Sequence, residues 1–110
     1  MSLFIKGLFA VLLIFLAVSI TSARIQRSAA AVAEFKRENP CPATGKVQRA
    51  CTGYIVDHIT PLCGGGLDKP SNMQWQTRAA SLRKDRVEVA YCNCIKRSGK
   101  ASCSFNPKGF

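Results

Sequence analysis

The sequence predicts a small α+β domain stapled by disulfides. An N-terminal helix comes first, and the centre reads strand, Gly-rich loop, short strand, helix. Three observations carry this. The apolar residues change period along the chain, from helical to alternating and back. Turn formers separate the periodic segments. Six cysteines all lie beyond residue 40 of a 110-residue chain.

The first stretch stands apart from the fold. Ser2 to Lys6 carry one positive charge, Gly7 to Ile20 are almost unbroken apolar residues, and Thr21-Ser22-Ala23 are small. This is the layout of a secretory signal peptide, expected over residues 1–23. The alternative is a membrane anchor, but a span needs roughly 20 apolar residues and this run is shorter. Cleavage after Ala23 removes Lys6 and no other charge from a chain of formal charge +10. The expectation is a secreted or periplasmic protein with no stable membrane association after cleavage. So basic a body favours polyanions, whether nucleic acid, anionic membrane surface or acidic glycan. The balance itself does not choose among them.

Cys41, Cys51, Cys63, Cys92, Cys94 and Cys103 form an even set in a small, exported chain, which points to three disulfides. A structural zinc site normally uses Cys-x-x-Cys knuckles, and there are none. Cys41 with Cys51, Cys63 with Cys92 or Cys94, and the remaining one with Cys103 is the expected pattern. A bond between Cys92 and Cys94 would be badly strained.

Residues 24–40 form the N-terminal unit, a helix over Arg24 to Arg37. Ile25, Ala29, Val32 and Phe35 recur at helical spacing, and Asn39-Pro40 stops it. Cys41 to Cys51 is a loop. Tyr54-Ile55-Val56 reads as strand, with Asp57 and His58 near its end and Pro61 closing it. Cys63 to Asp68 is a Gly-rich loop without the Gly-Lys-Ser/Thr of a phosphate loop. Met73-Gln74-Trp75 is a short strand, and Trp75 is read as core rather than a base-stacking platform. Thr77 then N-caps a helix from Arg78 to about Cys92, with Ala79, Leu82 and Val89 as its buried face. The core unit is residues 41–95, and residues 96–110 are a basic tail tied down at Cys103.

The segment Val56-Asp57-His58-Ile59-Thr60-Pro61-Leu62 is followed by Gly64-Gly65-Gly66, Asp68, Ser71-Asn72-Met73-Gln74-Trp75-Gln76-Thr77 and Lys84-Asp85. From about Cys51 to Glu88 the chain resembles the HNH endonuclease family, in its ββα-metal form. The resemblance implies phosphodiester hydrolysis. It makes His58, the only histidine, the general base. It makes Asp57 and Asn72 the ligands of a divalent cation. Many members also place a histidine ligand on the helix; here that stretch is Ala80-Ser81-Leu82. Oxygen ligands without a histidine favour magnesium, with manganese as the alternative and zinc disfavoured. Asp85 is a candidate further ligand or water anchor, and Lys84 a candidate contact to the scissile phosphate. Arg78, Arg83 and Arg86 are candidate nucleic-acid contacts.

Each residue also has a plain structural reading. Asp57 suits a turn, Asn72 suits bonding to loop backbone, and the glycines suit a tight turn. Lys84 and Asp85 suit a solvated helix face. The expected function is a metal-dependent endonuclease of low sequence specificity acting on DNA, with RNA as a second substrate. The competing readings are a cationic disulfide-rich nucleic-acid-binding or antimicrobial protein, and a nuclease fold that has lost activity. Charge and cysteine count alone support the former; the missing helical histidine supports the latter.

Overall fold

The computed structural model describes residues 27–110. The expected signal peptide, with Arg24 and Ile25 of the N-terminal helix, lies outside the described residues. Among the described residues, two helices and a two-stranded antiparallel sheet make an α+β fold. In order these are α1 (Ala29–Glu38), β1 (Tyr54–His58), β2 (Met73–Thr77) and α2 (Arg78–Ser98). Single 3-10 turns at Leu62–Gly64, Pro70–Asn72 and Lys100–Ser102 join them.

Ser28 caps α1, its hydroxyl accepting from the Ala31 amide at 3.2 Å. The helix ends at Glu38 because Asn39 turns both its backbone N–H and its side-chain amide onto the Phe35 carbonyl, and Pro40 follows. Strand pairing sets Tyr54 against Thr77, Val56 against Trp75, Asp57 against Gln74 and His58 against Met73. Alternation then splits β1 between two faces. Val56 and, across the register, Trp75 and Met73 pack against Val32, Ala31 and Phe35 of α1. The Phe35 and Trp75 rings meet edge to face at 5.6 Å, and the indole N–H donates to the Asn39 carbonyl. Ile55 and Asp57 fall on the opposite face, which α2 covers.

Thr77 ends β2 and caps α2 through the Ala80 amide. The helix runs six residues past its expected end, to Ser98, because no Gly or Pro interrupts it before Gly99, which at φ +79° is the first residue free to turn away. Its buried face also differs from the expected one. Leu82 is 65% and Val89 60% exposed, and Ala79 is exposed, while Ala80, Ser81, Lys84 and Tyr91 are buried. The apolar stripe on α2 is weak, so the helix is oriented by a polar demand instead: the buried Asp57 carboxylate takes the Lys84 ammonium.

All six cysteines are paired, as Cys41–Cys51, Cys63–Cys92 and Cys94–Cys103. The first closes the loop before β1. The second pins the Gly-rich loop to α2. The third turns the C-terminal segment back along α2, where Phe105 stacks on Tyr91 at 5.2 Å. The tail is therefore held by an aromatic pair as well as by Cys103.

The glycines of the loop serve packing. A Cβ at Gly66 would stand 2.0 Å from the Thr60 carbonyl oxygen, and one at Gly64 would stand 2.6 Å from the Tyr91 ring. The amides of Gly64 and Gly66 donate to the Pro61 carbonyl and that of Gly65 to Leu62, so none of the three is left to bind a phosphate.

Candidate functional site

His58 is the last residue of β1 and is 3% exposed. Its Nε2 lies 2.8 Å from Oδ1 of Asp68, in the loop ten residues on. The other oxygen of Asp68 accepts from the Ser28 amide at 2.6 Å. The His58 hydrogen bond first, and the Ser28 amide second, hold the Asp68 carboxyl below the usual carboxylate range. Ionised, Asp68 can only accept, so Nε2 donates to it, and in the neutral form of the ring the proton sits on Nε2. Nδ1 then keeps its lone pair, and it is buried without a hydrogen-bond partner. An oriented imidazole with one free basic nitrogen is the arrangement a general base requires.

His58 lines a cleft of about 320 Å³ together with Arg27, Leu62, Glu88, Cys92 and Lys96. The Cys63–Cys92 disulfide forms part of its wall. Arg27 and Lys96 are exposed and bring two positive charges to this cleft.

Asp57 sits on the other face of β1, 2% exposed. Its Oδ2 accepts from Lys84 Nζ at 2.7 Å and from Gln74 Nε2 at 3.3 Å. Lys84 is fully buried. Its ammonium also donates to Glu88 Oε1 at 2.6 Å and to the His58 backbone carbonyl. The three N–H donors thus meet three oxygens, and the Phe105 ring covers the group at 5.7 Å. The expected contact between Lys84 and a scissile phosphate does not fit this placement, because the ammonium is enclosed and its donors are spent. Lys84 acts on the site from beneath, fixing Asp57 and the carbonyl of His58.

Asn72 is half-buried, and its amide is taken up by the loop. Oδ1 accepts from the Thr60 amide and Nδ2 donates to the Thr60 and Leu67 carbonyls, each at 2.9 Å. It ties the two ends of the Gly-rich loop together. Asp85 is exposed on α2, one residue round the helix from Lys84, beside Glu88, Asn93 and Lys96. The three expected ligands therefore do not converge: Asp57 holds an ammonium, Asn72 holds backbone, and Asp85 faces solvent. Among the described residues no group of three or more His, Cys, Asp or Glu side chains is placed to hold a metal ion. As arranged, these residues do not fit a resident divalent cation. Of the candidate nucleic-acid contacts, Arg78 lines a groove against the sheet, while Arg83 and Arg86 are exposed on the outer part of α2.

Asp68, Arg27 and Lys96 had no role assigned from sequence. Asp68 stood inside the motif, and an acid shortly after a candidate base was the available signal. Arg27 and Lys96 reach the cleft only through folding, from opposite ends of the chain. No family model, no characterised protein and no solved structure matches this chain.

Proposed function

We propose that this protein is an endonuclease of the HNH type that hydrolyses phosphodiester bonds, exported and active outside the reducing cytoplasm. One observation carries the reading: His58, the only histidine, is held through Nε2 by ionised Asp68, keeps an unpartnered Nδ1, and lines a cleft that Arg27 and Lys96 also line. The resemblance over Cys51 to Glu88 and the positive charge of the chain support it independently.

In this reading a phosphodiester enters the cleft with its non-bridging oxygens toward Arg27 and Lys96. His58 Nδ1 takes a proton from a water molecule as that water's oxygen attacks phosphorus. Asp68 stabilises the imidazolium that forms. The bond from phosphorus to the leaving oxygen breaks, and that oxygen takes a proton from solvent. The non-specific attachment of a basic body to phosphates accounts for low sequence preference. The divalent cation expected from the resemblance would find Asp57 already committed to Lys84.

The test is nicking of plasmid DNA by the oxidised protein, in magnesium, in manganese and in chelator. Wild type should nick, and His58→Ala should lose about 10²- to 10⁴-fold in rate, the usual worth of a general base. Equal nicking by His58→Ala refutes the assignment. No nicking by wild type in any of the three conditions refutes the enzyme reading and favours a cationic binding protein, for which charge and disulfides suffice.

A further inference from the structure

Three depressions on the surface share Arg27. One is the His58 cleft. The other two lie between α1, the Cys41–Cys51 loop and β1, and they also have Val32, Lys36 and Arg49 in common, so they form one groove. The part against the sheet has a volume of about 550 Å³ and ends on Tyr54, Trp75 and Arg78. Lys36 donates to the Arg49 carbonyl at 2.7 Å and holds the loop against α1. Arg27, Arg49 and Arg78 are exposed, and among the described residues none of them forms an ion pair with a carboxylate. Trp75 is fixed by its bond to Asn39 and its packing on Phe35. Strand alternation puts Tyr54, Val56 and His58 in one row on the α1 face of β1. The groove therefore points along β1 toward His58.

We propose that this groove binds a single strand of nucleic acid, its phosphates on Arg27, Arg49 and Arg78 and a base against Tyr54 and Trp75. Arg27 joins the groove to the cleft where the phosphodiester meets His58. The inference rests on the proposed nuclease activity for what happens at His58, but not for the binding. Unpaired cations alternating with rigid aromatic surface is the combination by which single strands are held without sequence preference. The groove has the volume of a small-molecule pocket and admits an unpaired base, whereas a duplex keeps its bases stacked inside. An anionic membrane would instead suit a basic surface with protruding apolar side chains. Here the aromatics are half-buried in a concavity.

The test uses oxidised His58→Ala protein in chelator, so that nothing is cut, and fluorescence anisotropy with a short labelled single-stranded oligodeoxynucleotide. Arg49→Glu with Arg78→Glu reverses two charges in the groove. Arg83→Glu with Arg86→Glu makes the same charge change on the outer part of α2. At about 0.15 M salt, where charges beyond roughly 8 Å are screened, the groove pair should weaken binding about tenfold or more. The α2 pair should weaken it by no more than about threefold. The groove pair should also flatten the salt dependence by about one unit of slope for each phosphate that is no longer neutralised. Tyr54→Leu should weaken binding without changing that slope. Thermal midpoints for each variant confirm that the fold is intact. Equal weakening by the two pairs overturns the proposal, as does duplex of the same sequence binding as tightly through the same arginines. Loss of binding to phosphatidylserine vesicles, with oligonucleotide binding unchanged, overturns it in favour of a membrane surface. Groove-dependent binding by a wild type that cuts nothing would leave this inference standing while the nuclease reading fails. Cutting by a protein whose binding ignores the groove pair would do the reverse.

Discussion

Lys84→Met tests the buried charge network directly. Methionine keeps the length and apolar stem of lysine and removes the ammonium. In the native protein that ammonium is fully buried and satisfied by Asp57, Glu88 and the His58 carbonyl. Its loss leaves Asp57, at 2% exposure, with one long bond to Gln74 at 3.3 Å. Removing one partner of a buried pair typically costs about 3–5 kcal/mol, because the other charge is stranded. Glu88 is nearer the surface, its side chain 16% exposed, and can turn to water, so Glu88→Gln should cost about 1 kcal/mol or less. Against a total stability of about 5–15 kcal/mol the lysine is a large share. With a urea slope of about 1 kcal/mol per molar, the Lys84→Met midpoint should fall by about 3 M or more. Asp57→Asn on that background should restore at least about 2 kcal/mol, since it removes the stranded charge. The assay is equilibrium urea unfolding of the four proteins of the Asp57/Lys84 cycle. A Lys84→Met cost below about 1 kcal/mol, or additive Asp57 and Lys84 effects, would show that this ion pair does not orient α2.

Three further sites can be probed in the same way. Asp68→Asn should lower the nicking rate about 10- to 100-fold with little change in binding, because the amide no longer demands a proton on Nε2; an unchanged rate would remove Asp68 from the mechanism. Asp68 is held below its ordinary value, so its stabilising contribution is present above about pH 4 and is lost as pH falls through the lower folded value; acid unfolding of Asp68→Asn should lack that component. Asn72→Ala removes three hydrogen bonds and should cost about 2–3 kcal/mol with no change in the divalent-ion requirement, whereas a rise in the magnesium needed would return Asn72 to the ligand set. Cys63→Ala with Cys92→Ala should cost about 2–5 kcal/mol, read by thermal unfolding, and should affect nicking more than loss of Cys41–Cys51, because only the former bond walls the His58 cleft.

Local signals made most of the fold legible. Asn39-Pro40 ends α1 and Thr77 begins α2 as the sequence predicts, since each depends on its immediate neighbours. Strain excluded a Cys92–Cys94 bond and sequence left the partner of Cys63 open between those two; the fold pairs it with Cys92. The burial of α2 was not legible. Leu82 and Val89 are its obvious apolar residues, yet the buried face is Ala80, Ser81, Lys84 and Tyr91. A lysine at a core position shows no apolar period, and its reason, Asp57, lies on another element. The placement of His58 near a strand end was readable, but the pairing of His58 with Asp68 depends on loop closure across Gly66, where only a hydrogen fits beside Thr60.

Adjacent residues on a strand face opposite ways, so Asp57 and His58 could share one centre only if β1 bent between them. The register shows that it does not: both residues keep their cross-strand partners, Gln74 and Met73. The two are buried by different covers. Asp57 meets α2 through Lys84, while His58 meets the Gly-rich loop through Asp68. The backbone carbonyl of His58 is the link, because it accepts from the same Lys84 ammonium that Asp57 holds. The carboxylate thus reaches the imidazole through a lysine and a peptide group rather than through a shared ion. Changes at Asp57 should therefore act on the position of His58 and on stability together. Changes at Asp68 should act on the proton of His58 with the strand end left in place. That difference separates the structural half of the Asp-His pair from its chemical half.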